Sequence, residues 1–207
     1  MVESRKAFTK LILLGDVNVG KTTLINKFAK DDSSAGAANA TVGVDFVKKE
    51  MRIGNKDVTI QLWDTAGQEK FESIGYAFYR GVNCCLFVFD LSDKASFDNL
   101  TKWKNNFLEK AAPNKPEEFP FICVGNKSDK ERAVERDQAE QWCQQNGGIP
   151  YFETSAINGD NVDSAFVKGA EKGLDNADEE DFAMPTSLSG AAGAIKMDKN
   201  DHSERTE

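Results

Sequence analysis

Gly15, Gly20, Lys21 and Thr22 stand in the stretch GDVNVGKTT at the spacing G-x-x-x-x-G-K-[ST]. These residue types at this spacing turn main-chain N–H groups onto phosphate oxygens, and a following helix N-terminus adds partial positive charge. Lys21 is placed to reach the terminal phosphates of a nucleotide, and the Thr22 hydroxyl to ligate Mg²⁺. Val17, Asn18, Val19 and Thr23 complete the candidate phosphate-contacting set. The motif by itself leaves ATP and GTP both open.

The stretch NKSD at 126–129 follows an apolar run. A carboxylate at Asp129 can accept from guanine N1–H and its exocyclic amine together. Adenine has no such donor pair, and a site left with an unpaired polar group rejects the wrong partner by a factor of about 10⁴ or more. Asn126 is placed to tie this loop to the phosphate loop, and the Lys127 stem to cover one face of the base. In ETSA (153–156), the N–H groups around Ser155, Ala156 and Ile157 are placed to reach the guanine oxygen. N-K-x-D alone also fits an ordinary polar loop; it gains weight by following a phosphate loop at the end of a later strand, where open α/β sheets bind ligands.

WDTAGQE (63–69) brings switch chemistry. Asp64 is placed to hold Mg²⁺, through a water. Gly67 can bring its N–H to a γ-phosphate, Gln68 can orient an attacking water, and Thr41 can supply a second hydroxyl to the metal. Loops held by γ-phosphate contacts are released when that phosphate leaves.

The elements that must position these residues alternate. Apolar runs at 11–15, 83–90 and 121–126 and the stretch IPYFETS read as strands buried on both faces. The stretches 42–53 and 56–64 flank the turn signal GNKD. GKTTLINKFAK, KASFDNLTKWKNNFLEKA, ERAVERDQAEQWCQQN and 161–174 have helical periodicity. This order predicts an α/β fold: a six-stranded mixed sheet with one antiparallel edge strand, flanked by five helices. DDSSAGAANAT (31–41) reads as a mobile loop. The chain divides at 175, with 176–207 acidic, rich in small residues and read as a flexible tail.

Composition narrows the class. The 207 residues are 40% hydrophobic with a net charge of −8. That balance argues against nucleic-acid binding and against attraction to an anionic membrane. No apolar run approaches the roughly 18 residues of a membrane span. Cys84, Cys85, Cys123 and Cys143 form no C-x-x-C and fit reduced, buried thiols of a reducing cytosol.

GDVNVGKT, TVGVDF, LWDTAGQE, NKSD and ETSA resemble the Ras superfamily, and VGVDF with FESIGYAFYRG resembles its Rab branch. AFYRGVNCCLFVFD, FPFICVGNKSD, AEQWC and IPYFETSA are similar to the late-endosomal and lysosomal Rab subfamily. The likeness runs from Lys10 to about Leu174. It implies a P-loop small GTPase: a monomeric GTP/GDP switch with Mg²⁺ that recruits effectors at late endosomes, lysosomes or phagosomes, set by an exchange factor and a GTPase-activating protein. With no obvious internal arginine finger, a partner is expected to supply that charge.

The pleat suggests where effectors dock. In VTIQLWD the core takes Val58, Ile60 and Leu62, so Trp63 shares the other face. In the preceding strand Phe46 falls opposite to Val47, Met51 and Ile53. Phe46 and Trp63 are therefore expected to be exposed together, or else covered by a loop or helix. The Rab resemblance adds Phe78 as a third member.

Four departures from the family matter. Val17 occupies a position that is usually small, so its isopropyl group predicts slow hydrolysis by crowding Gln68, unless it points outward. The 31–41 loop has no aromatic to cover the nucleotide, and Ile157 replaces a lysine; both predict faster nucleotide release. The chain ends DHSERTE, and with its last cysteine at Cys143 it carries no C-terminal acceptor for a lipid anchor as given, which fits either truncation or a naturally unanchored form. The leading expectation is a GTP hydrolase of vesicle trafficking. The rivals are a GTP-holding scaffold with negligible turnover and, distantly, an ATP-dependent kinase.

Overall fold

The computed structural model describes residues 6–30, 46–64 and 78–183. Six strands form one sheet in the order β2-β3-β1-β4-β5-β6. They are β1 (Ala7–Leu14), β2 (Phe46–Ile53), β3 (Lys56–Asp64), β4 (Cys84–Asp90), β5 (Phe121–Asn126) and β6 (Tyr151–Thr154). Every pairing is parallel except β2 with β3, so the antiparallel strand lies at the edge as the sequence predicts. Gly54 and Asn55 make the turn of that hairpin.

The helices among the described residues are α1 (Lys21–Lys30), α2 (Lys94–Asp98), α3 (Leu100–Ala111), α4 (Arg136–Gln145) and α5 (Val162–Ala183). They divide between the two faces of the sheet, which explains why its central strands read as unbroken apolar runs. Alternate residues of β4 part company: Cys84, Leu86 and Val88 join the core under α1 and α5, and Cys85, Phe87 and Phe89 the core under α2, α3 and α4. On the first face Phe28 of α1 stacks on Phe166 of α5 with centroids 4.5 Å apart. α5 lies close on β1 and β4 because Gly169 and Gly173 present no side chain toward them.

Three boundaries differ from the sequence expectation. The single helix expected after Lys94 breaks at Asn99, which closes α2 and opens α3. α4 begins only at Arg136, because the N–H groups of Ala133 and Val134 both bond the Leu91 carbonyl and hold that segment to the end of β4. Glu135 and Gln138 then form a reciprocal capping box. α5 continues nine residues beyond 174, to Ala183. Its last turns contain no glycine or proline, and the helix ends two residues before Pro185, whose ring disfavours helical backbone in the residue preceding it. No helix among the described residues is long and apolar enough to cross a membrane.

Candidate nucleotide site

The C-terminal ends of β1, β3, β5 and β6 bring the sequence motifs to one edge of the sheet, where ligands of doubly wound folds bind. The loop after β1 takes its shape from two glycines. Gly15 has φ +148°, and a Cβ there would collide with the Val88 carbonyl; Gly20 has φ +101°, and a Cβ there would collide with the Asn126 amide. Asn18 also lies in the left-handed region at φ 63°. Val19 packs into the core, while Val17 and Asn18 face outward.

Lys21 is buried at the start of α1, its ammonium donating to the carbonyls of Gly15 at 2.8 Å and Asp16 at 2.6 Å. Burial pushes this ammonium down to about 8, while the negative charges of Asp64 and Asp16 act in the opposite sense. The Thr22 hydroxyl donates to an Asp64 carboxylate oxygen at 2.5 Å. A hydroxyl and a carboxylate converging beside the phosphate loop are hard oxygen donors of the kind Mg²⁺ takes, so these residues fit that ion. Thr23 is exposed beside them.

Asn126 is buried and acts as the joint between loops. Its amide donates to the Val19 carbonyl at 2.8 Å; its oxygen accepts from the Thr154 hydroxyl and the Ala156 N–H, each at 3.2 Å. Lys127, at φ 66°, sends its ammonium to Asp90 at 2.6 Å. Burial alone would raise the Asp90 carboxyl, but hydrogen bonds from Lys127 and Ser92 and the Lys127 charge hold it below the usual carboxylate range. An Asp129 oxygen accepts from the Ser155 hydroxyl at 2.5 Å, leaving the exposed carboxylate fixed in direction. Ser155 and Ala156 are buried beside it, whereas Ile157 is 74% exposed at the mouth of the site.

Thr41, Gly67 and Gln68 lie outside the described residues. Phe46, Trp63 and Phe78 do come together. Phe46 and Trp63 are register partners and stack at 5.3 Å, and Phe78 meets Trp63 edge-on at 4.8 Å. The expected open exposure is corrected: Phe46 and Trp63 are each partly buried, and Phe78 is buried at 6%. The face that reads as polar along β3 is covered at its Trp63 end by the second core, which Trp63 joins.

Sequence reasoning passed over Asp16, Asn99, Trp103 and Lys10. The Asp16 carboxylate accepts from Asn99 at 2.6 Å and from the Trp103 indole at 2.7 Å. Asp16 stands in a variable position of the loop motif, and no local signal links it to Asn99 and Trp103. The Lys10 ammonium lies 4.1 Å from the Trp63 ring centroid and donates to the carbonyls of Phe78 and Arg80, both at 2.9 Å.

Asn126 ties the loop that carries Asp129 to the lysine-bearing loop after β1, and the profile of the Ras family matches residues 10–174. The chain belongs to the Ras family. RABG3d of Arabidopsis thaliana is 46% identical to it over 197 residues, 93% of this chain and 95% of that protein. Rab7 of Gossypium hirsutum is 45% identical over 197 residues, with the same shares covered. RABG3a of Arabidopsis thaliana is 49% identical over 186 residues, 88% of this chain and 90% of that protein. Among the Ras-family branches this chain is a Rab of the late-endosomal Rab7 subfamily: a small GTPase that hydrolyses GTP and serves vesicle trafficking.

Proposed function

We propose that this Rab binds GTP and GDP between the Gly15–Thr23 loop and the Asn126–Asp129 loop, and that water attacks the γ-phosphate under the direction of Gln68. The observation that carries the reading is the Asn126 amide on the Val19 carbonyl, since it couples the base loop to the phosphate loop. Asp129 takes the guanine donor pair, the Lys127 stem covers the ring, and the N–H groups of Ser155, Ala156 and Ile157 meet the guanine oxygen. Lys21, the Gly67 N–H and the loop N–H groups of Gly15, Val17, Asn18, Val19, Gly20, Thr22 and Thr23 receive phosphate oxygens. Charge building on those oxygens would be met by these donors. Thr22, Asp64 and Thr41 would hold Mg²⁺, which supplies further neutralisation of phosphate charge when bound.

The stacked Phe46, Trp63 and Phe78 are the proposed effector contact, next to the switch stretches that carry Thr41 and Gln68. Exchange and activating proteins are the proposed regulators of a monomeric switch that cycles to late-endosomal, lysosomal or phagosomal membranes. Residues 1–175 form the GTPase domain and 176–207 a tail in this reading. Val17 stands where a usually small residue sits, and slow turnover is proposed from its volume alone, since its half-exposed side chain faces outward.

Single-turnover hydrolysis of bound GTP by the wild type and Gln68→Ala tests the assignment. The variant is expected to bind GDP as the wild type does and to hydrolyse GTP on the order of 10² times more slowly. An unchanged rate overturns the role of Gln68. Displacement of bound GDP by ATP as readily as by GTP overturns the base assignment.

A further inference from the structure

We infer that Asn99 and Trp103 clamp the phosphate loop through Asp16 and thereby set how long the nucleotide stays bound. Asp16 lies one residue into the loop. Both oxygens of its carboxylate are engaged, Oδ2 by the Asn99 amide at 2.6 Å and Oδ1 by the Trp103 indole N–H at 2.7 Å. Its main-chain oxygen accepts from the Lys21 ammonium at 2.6 Å. One residue therefore connects the junction of α2 and α3 to the cation of the phosphate loop.

The clamp has a firm base. Asn99 and Trp103 are four residues apart, and the Trp103 N–H bonds the Asn99 carbonyl at 3.1 Å, so both side chains project from one face. Asn99 is held from behind by its own N–H on the Ala95 carbonyl at 3.1 Å. The Ser96 hydroxyl accepts from the Asp90 N–H at 2.9 Å and donates to the Asp93 carbonyl at 2.7 Å, which ties α2 to β4. On the far side of α3, the Trp142 indole donates to the Thr101 hydroxyl at 3.0 Å.

Electrostatics give the clamp its purpose. A carboxylate inside a loop built for phosphates is a like charge, and like charges close together in a partly dry site repel strongly. Two donors on the carboxylate offset that charge and fix its direction. Hydrogen bonds to an ionised acceptor are about twice as strong as neutral ones. Loss of either donor frees a negative side chain beside the phosphates and loosens the carbonyl that positions Lys21. Asn99 and Trp103 are positioning residues, since they reach the nucleotide only through Asp16.

This inference rests on the reading that the Gly15–Thr23 loop holds the phosphates, and the test separates the two. Release of fluorescently labelled GDP is followed in excess unlabelled GDP for the wild type, Trp103→Phe, Asn99→Asp, and the exchange that combines Asp16→Asn with Asn99→Asp. Trp103→Phe keeps an aromatic ring and loses the donor; Asn99→Asp sets two carboxylates together. Each single change is expected to speed release about tenfold or more. In the exchange, the new amide at position 16 donates to the new carboxylate at position 99, and its oxygen still accepts from Trp103, so release returns to within about threefold of wild type. Unchanged release in Trp103→Phe and Asn99→Asp overturns the clamp, as does a lower urea midpoint without faster release, or an exchange variant that releases as fast as Asn99→Asp alone. Lys21→Met is the control for the underlying reading: if it still retains GDP, the phosphate-loop assignment fails whatever the clamp variants do.

Discussion

The Asn126 side-chain amide donates to the Val19 carbonyl at 2.8 Å, across 107 positions of sequence, and the same residue accepts from Thr154 and Ala156. Asn126→Ala would strand a carbonyl and an N–H in the buried joint of three loops. Each such orphan costs about 1–3 kcal/mol. GDP affinity is therefore expected to fall on the order of 10² or more, measured by titration with labelled GDP. Asn126→Asp should do no better, because its carboxylate would face the Val19 carbonyl with no donor. Wild-type affinity in either variant would show that the joint is unimportant to binding.

The exposed Asp129 carboxylate is held in direction by the Ser155 hydroxyl. Asp129→Asn replaces an acceptor by a donor at the position proposed to meet guanine N1–H and the exocyclic amine. GTP binding should weaken by about 10³ or more, and xanthosine triphosphate, with a carbonyl where guanine has its amine, should become the better ligand. Competition between the two nucleotides against labelled GDP reads this directly. Equal loss for both nucleotides would argue that Asp129 shapes the loop without reading the base.

Val17 is 49% exposed, so about half of its surface is open beside the loop. A γ-phosphate and the side chain of Gln68 must share that space in the proposed reaction. Val17→Ser is expected to raise the single-turnover hydrolysis rate on the order of tenfold, equivalent to about 1.4 kcal/mol of barrier. GDP release should change little, which separates an effect on chemistry from one on binding. An unchanged hydrolysis rate would mean that Val17 does not obstruct the reaction.

Gly173 of α5 faces β1 so closely that a Cβ would collide with Thr9 Oγ1, with Asn83 Cβ 3.3 Å away. Gly173→Ala gains about 1 kcal/mol of helix propensity but forces an overpacked contact costing about 1–3 kcal/mol. A net loss of stability is expected in urea unfolding. Thr9 Oγ1 is buried and finds no hydrogen-bond partner among the described residues, so Thr9→Ala should itself be nearly neutral. In that background Gly173→Ala should lose most of its penalty. Additive effects of the two changes would place the strain elsewhere.

The strands of this fold were legible because burial on both faces removes polar interruptions: CCLFVFD and FICVGN have no polar residue before their final Asp90 and Asn126, where the strands meet the site. Helix limits were less legible because tertiary bonds set them. Leu91 accepts from Ala133 and Val134, which delays α4, and no local signal encodes that contact. The base and phosphate loops could be read because their chemistry fixes residue types at fixed spacing. The Asp16 clamp could not, since Asp16 lies far along the chain from Asn99 and Trp103 and only folding brings them together. Trp63 is less exposed than alternation predicts for a related reason: the pleat gives the direction of a side chain, whereas its cover comes from Phe78 and Lys10, distant in sequence.

Asp90 closes β4 with its carboxylate on the Lys127 ammonium at 2.6 Å and on the Ser92 N–H and hydroxyl at 2.8 and 2.6 Å. These partners hold its carboxyl below the usual range even though burial opposes ionisation. In the unfolded chain an aspartate titrates near 3.9. A group whose folded value is depressed binds its proton more readily when unfolded, so its stabilising contribution is fully present above about pH 4 and is lost as pH falls through the folded value. Asp90→Asn keeps the shape and removes the charge. It is expected to cost about 1–3 kcal/mol at neutral pH. Below about pH 4 the gap between wild type and variant should narrow, because the wild-type carboxyl then becomes neutral as well. Urea unfolding of both proteins with excess GDP, at neutral pH and in a series through the acid range, reads that gap. A gap that stays constant through the acid range would show that the ionised Asp90–Lys127 pair contributes nothing to folding.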